Sequence, residues 1–166
     1  MIEKVTEDCI TIEQFHLLTR PLIGLPVSRP WRGYGSAIFL ELGKLVEENW
    51  KKPDGACRTT SKGEAGVMIE WSWRVEKPQS IWFGSWSGNR KITNNLSVLQ
   101  GHSVVDITVE GRLPELVIRL SGGIWVHSFT TVEGQPQWCL FLRDHHNSNS
   151  EWVISRRGRL VKVKKL

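Results

Sequence analysis

Residues 67–76, Val67-Met68-Ile69-Glu70-Trp71-Ser72-Trp73-Arg74-Val75-Glu76, decide the fold. Val67, Ile69, Trp71, Trp73 and Val75 alternate with Met68, Glu70, Ser72, Arg74 and Glu76. That period of two, with one apolar face, marks a β-strand buried on one side. Lys77-Pro78 supplies a turn and Ser80 to Trp86 returns, so residues 66–86 read as a hairpin. With two or four residues in the connection, Trp73 faces Trp82, Trp71 faces Gly84 and Ile69 faces Trp86, and four indoles share one face. One residue more or less would turn Trp82 and Trp86 to the other side. Proline suits the second position of a two-residue primed turn poorly, which favours the longer connection. Such a face is either the core of a sandwich or a stacking platform for a sugar, a base or a partner. Regular apolar alternation is what burial alone produces, so the core is the expectation.

Upstream, Thr11 reads as the N-cap of a short helix over 11–19, with Ile12, Phe15 and Leu18 at helical spacing. Residues 20–35 carry Pro21, Pro26 and Pro30 and read as a meandering loop. Residues 36–46 have strand character with burial on both sides, and 47–64 form a long polar connection. Downstream, Gly88-Asn89 breaks the chain before a short helix over 92–100, capped by Thr93 or Asn94 and stopped at Gly101. Residues 102–164 then read as a β-meander, with Ser121-Gly122-Gly123 as its strongest hairpin signal. About nine strands, two short helices and no βαβ alternation predict a mainly β (α+β) fold. The expected architecture is an antiparallel β-sandwich or half-barrel in a single domain over 1–166.

The net charge of +5 invites a nucleic-acid reading, so its location matters. The last eleven residues hold Arg156, Arg157, Arg159, Lys162, Lys164 and Lys165 and no acid. Setting those six aside leaves 16 of the 22 basic side chains against 17 acidic ones, so the rest of the chain is close to neutral. This basic strip could follow a phosphate backbone. It also alternates, with Val161 and Val163 on one side and Lys162 and Lys164 on the other, and lysines on a terminal edge strand discourage edge-to-edge pairing. The second reading is preferred, because the strip has no interleaved aromatics.

No catalytic signature emerges. Gly84-Ser85-Trp86-Ser87-Gly88 resembles a nucleophile elbow only superficially, since tryptophan holds the nucleophile's place and the preceding strand is antiparallel. Asp144-His145-His146-Asn147 offers metal-ligand types, but neighbours on an extended segment point apart and the run reads as a solvated loop. His127 reads as a core or interface residue on a face with Trp125 and Phe129. Three distant cysteines (Cys9, Cys57, Cys139) fit neither a paired disulfide framework nor a metal spacing. Cys139 is expected in the core and Cys57 in the open. No metal or other cofactor is expected. The acidic start lacks the apolar run of a secretory signal and no stretch is long enough to span a membrane, so a cytoplasmic chain with reduced thiols is expected.

Gly111-Arg112-Leu113-Pro114-Glu115 with Leu116 to Gly123, then Gln137-Trp138-Cys139-Leu140-Phe141-Leu142 and a tryptophan strand, resemble small bacterial domains of the toxin-immunity type. The resemblance covers residues 100–155, rests on no functional motif and carries over no site residue. It implies a binding role. The expectation is a non-enzymatic domain whose partner is another protein. Nucleic-acid or carbohydrate binding is the alternative, and an enzyme with a dispersed site comes third. Trp50, Lys51, Lys52, Arg58, Asp144, His145, His146 and Trp152, from the 47–64 and 144–150 loops and the following strand, are the expected contacts. An edge strand leaves room for a homo-oligomer.

Overall fold

The computed structural model describes residues 5–51, 55–134, 136–144 and 150–165, with the backbone alone at Trp50 and Lys51. Strands β1 (Val5–Ile10), β2 (Val27–Arg32), β3 (Ile38–Leu42), β6 (Ala65–Ile69), β12 (Trp138–Arg143), β13 (Ser150–Arg156) and β14 (Arg159–Lys165) form a seven-stranded sheet. Its order is β1-β14-β13-β12-β6-β3-β2. A five-stranded sheet runs β8-β7-β11-β10-β9, built from β7 (Trp73–Lys77), β8 (Ser80–Gly84), β9 (Val104–Glu110), β10 (Glu115–Leu120) and β11 (Ile124–Ser128). Among the described residues, strands β4 (Val46–Lys51) and β5 (Cys57–Lys62) pair only with each other. The fold is mainly β and its sheets are antiparallel, stacked as an open sandwich.

Alternation builds the core. Leu40, Val67, Leu140 and Val153 of the larger sheet meet Val75, Leu116, Ile118 and Val126 of the smaller one, all buried. Two helices close the sides. In α1 (Ile12–Thr19) the Thr11 hydroxyl accepts from Gln14 N–H at 3.2 Å and the Gln14 side chain accepts from Thr11 N–H at 2.8 Å. Thr11 is thus the N-cap its sequence suggests, and Gln14 completes a capping box that the sequence reading did not include; Phe15 packs edge-on against Trp138 at 6.1 Å. The second helix, α2 (Asn89–Leu96), begins three residues earlier than expected, with Gly88 as its cap, and buries Ile92 and Leu96.

The 66–86 hairpin does not form as expected. Glu70, Trp71 and Ser72 carry the chain from β6 in one sheet to β7 in the other, and Trp71 takes φ +61° at this corner. The alternation stays in phase because both strands turn the same face to the core, so a continuous pattern hides a change of sheet. The true hairpin is β7–β8. It starts as Lys77↔Ser80 and Glu76↔Ile81, then a bulge shifts it to Val75↔Phe83 and Arg74↔Gly84. The four indoles therefore share no face. Trp73 is buried and donates from Nε1 to the Ser36 carbonyl at 2.6 Å, Trp82 is half-buried, and Trp71 and Trp86 are exposed.

Further corrections are local. The proline-rich stretch holds β2, whose Pro30 is tolerated because β2 is an edge strand. The polar 47–64 connection is the β4–β5 hairpin, in register from Val46↔Lys62 to Lys51↔Cys57. It lacks an apolar face, so nothing in its sequence announces strands. The meander is split, β9–β11 in one sheet and β12–β14 in the other. The basic β14 is not an edge strand: β1 pairs with it from Val5↔Lys165 to Ile10↔Leu160 and takes the edge itself.

Candidate binding surfaces

A sheet with one face in solvent turns polar side chains outward. The seven-stranded sheet breaks that rule. Its register aligns Trp31, Phe39, Met68, Cys139, Ile154, Val161 and Cys9 in one row across all seven strands on the outer face. None of these residues is charged. The next row is Arg29, Glu41, Gly66, Phe141, Trp152, Val163 and Glu7. Cys139, Ile154, Val161 and Val163 are buried there, with Met68, Phe141 and Trp152 packed around them, as an apolar cluster separate from the core. Arg156 of β13 reaches across β14 to the Glu7 carboxylate of β1 at 2.7 and 2.9 Å, laying an ion pair over that end. Burial pushes the Cys139 thiol up to about 12, against a smaller lowering by Arg143.

The other end of the face is organised by one carboxylate. Glu41 is 1% exposed and accepts from Arg143 Nη1 at 2.8 Å, Gly63 N–H at 3.1 Å, Lys62 Nζ at 3.3 Å and Trp31 Nε1 at 3.3 Å. Burial works to raise its pKa, but Arg143, the Gly63 N–H, Lys62 and the Trp31 indole together hold it below the ordinary value. Gly66 makes the Arg143 approach possible, since a Cβ there would lie 2.6 Å from the guanidinium. Arg29 donates to the Ser61 carbonyl at 3.1 Å. Lys62 and Arg143 thus attend one carboxylate, and Arg29 stands beside them.

Its rings are already engaged. Trp31 stacks on Phe39 with centroids 3.9 Å apart and planes within 5°. Lys62 and Arg29 stand 5.3 and 5.6 Å from the Trp31 ring, and Arg143 stands 5.3 Å from Phe141.

The expected contact residues fall partly around this face. The β4–β5 hairpin springs from its rim, with Trp50 paired to Arg58 and Lys51 to Cys57. Arg143 N–H donates to the Glu64 carbonyl at 3.1 Å and its Nη1 to the Gly63 carbonyl at 3.0 Å, so the root of the hairpin adjoins the end of β12 and Asp144. Trp152 lies on the face itself. Lys52, His145 and His146 fall outside the described residues.

The basic strip is dispersed. Arg156 is paired with Glu7, Arg157 sits in the β13–β14 turn at φ +51° and Arg159 opens β14. Lys162 and Lys164 point to the other side and pair with Glu151 at 3.2 and 3.5 Å, and Lys165 lies opposite Val5. Sequence reading missed Phe39, Met68, Glu41 and Arg143. The one available signal was the two-sided burial of 36–46, which places Phe39 and Glu41 opposite Leu40.

The aromatic side chains most open to solvent lie elsewhere. Tyr34 is 100% exposed, Trp86 94% and Trp71 53%. Among the described residues no three His, Cys, Asp or Glu side chains gather as a metal site requires, and no helix is long and apolar enough to cross a membrane. Compared with known proteins, the chain matches no family model, no curated protein and no solved structure.

Proposed function

We propose that this chain is a non-enzymatic binding domain that engages another protein through the outer face of the seven-stranded sheet. The observation that carries the reading is the uncharged row from Trp31 to Cys9, crossing every strand of that sheet. At about 4.8 Å per strand the row runs about 29 Å. That is the span of a standard protein interface of about 800 Å² per partner. An apolar centre with a polar rim is how such interfaces are built. The cations around Glu41 favour a partner carrying acidic groups beside an apolar patch. A nucleobase is a poorer occupant at that end, because Phe39, Lys62 and Arg29 already attend the Trp31 ring and Arg143 attends Phe141. The split of the basic strip between two faces, with Glu7 and Glu151 beside it, also weakens a phosphate-tracking role. Neutralisation of a toxin is the specific form that the resemblance of residues 100–155 suggests.

The test is binding to the purified product of the neighbouring gene by calorimetry, with Phe141→Asp and Trp152→Asp as variants. Both side chains are half-buried, so melting curves must confirm that each variant folds. Saturable binding that weakens by about a hundredfold in either folded variant, the loss of about 2.7 kcal/mol typical of an interface hot spot, supports the reading. Binding that neither variant changes would remove the sheet face from it.

A further inference from the structure

Trp86 projects from the tight turn between β8 and α2. Ser87 N–H donates to the Gly84 carbonyl at 2.9 Å, and Gly84 N–H donates to the Ser87 hydroxyl at 3.0 Å. The turn is thus closed at both ends by backbone donors, and the indole between them stands in solvent. Beneath it lies an open cavity of about 480 Å³ on the outer face of the five-stranded sheet, walled by Ile81, Trp86 and Phe129. That volume lies within the range of small-ligand sites, about 300–1,000 Å³.

Of the hydroxyls in the lining, Ser72 and Thr131 bond each other at 2.8 Å, while Ser85, Ser87 and Arg74 have donors to spare. The Ser85 hydroxyl accepts from Trp73 N–H at 3.2 Å and the Ser87 hydroxyl accepts from Gly84 N–H, so the O–H of each is left to give. Arg74 lies 4.4 Å from the Phe129 ring and donates from Nε to Glu76, which leaves both Nη groups to give as well. The charge of Arg74 is cancelled by Glu76, which His127 approaches at 3.6 Å. The cavity therefore combines a free indole face, apolar walls, several donors and a compensated cation.

We propose that this cavity is a binding site for a neutral saccharide, whose apolar C–H face stacks on Trp86 while its hydroxyl oxygens accept from Arg74, Ser85 and Ser87. An indole supplies stacking area, and the oxygen-rich rim of a sugar matches the donors. A nucleotide or another phosphate ligand fits less well, because the lining holds no cation without a counter-ion to receive its charge. The site is on the opposite sheet from the protein-binding face and stands independently of it.

Cellotetraose, chitotetraose, maltotetraose and xylotetraose serve as probes, with hexathymidylate as the nucleobase control, followed by tryptophan fluorescence and calorimetry. Trp86→Ala is the variant; the indole is almost fully exposed, so the melting temperature is expected to stay unchanged. Saturable binding of at least one tetrasaccharide that weakens about tenfold or more in Trp86→Ala bears the proposal out. Three results would overturn it: no saturable response to any of the four sugars, sugar binding that Trp86→Ala leaves intact, or binding of hexathymidylate alone.

Discussion

Glu41 sits in the larger sheet with four donors around a carboxylate that water hardly reaches. Replacing it by glutamine leaves Arg143 and Lys62 beside a neutral amide, each with part of its compensation gone. Breaking a buried ion pair by removing one partner costs about 3 kcal/mol, and Glu41→Gln is expected to lower the unfolding free energy by that order in urea titrations. The acid side follows from the same contacts. The carboxyl is held below its ordinary value of 4.5 in the folded chain, so it adds stability above that value and loses it as pH falls through the lower folded one. Urea midpoints measured between about pH 3 and pH 5 should therefore drop more steeply for the parent chain than for Glu41→Gln. Equal slopes would mean that Glu41 titrates alike in both states.

Among the elements, the corner between β6 and β7 shows why part of this fold was legible and part was not. The strands either side of Trp71 were plain, because Val67, Ile69, Trp73 and Val75 keep one rhythm. The change of sheet was not, because it preserves that rhythm. The N-cap of α1 was readable from Thr11, whose contact is local, whereas β4 and β5 carry no burial pattern to read. The apolar outer row was beyond reach, since its members lie from Cys9 to Val161 and meet only when seven strands assemble. At the corner itself, Trp71 holds a left-handed backbone that costs a residue with a Cβ about 1–2 kcal/mol. Trp71→Gly relieves that cost. The expectation is a gain of about 1 kcal/mol, seen as a melting temperature higher by about 2–4 °C. A fall would show that contacts of the half-exposed indole outweigh the strain.

At the scale of the whole molecule, the thiols report how tightly the larger sheet is closed. Cys9 and Cys57 are exposed, while Cys139 is buried in the outer cluster with its pKa pushed up to about 12. The thiolate is the reactive form. With an excess of Ellman's reagent near neutral pH, two thiols per chain should react promptly and the third at the rate of opening of the larger sheet. Three equally fast thiols would mean that the cluster around Cys139 is not closed in solution.

The pairing of β1 with β14 has a consequence for synthesis. Translation runs from the amino end, so Val5 to Ile10 leave the ribosome long before Arg159 to Lys165 exist to receive them. Until then the larger sheet lacks its closing pair, and Ile154 and Cys139 lack the Val161 and Cys9 that continue their row. Contacts so distant along the chain are slow to close. Between those two events β1 has no strand to pair with, and its residues stay open to contacts other than the native one.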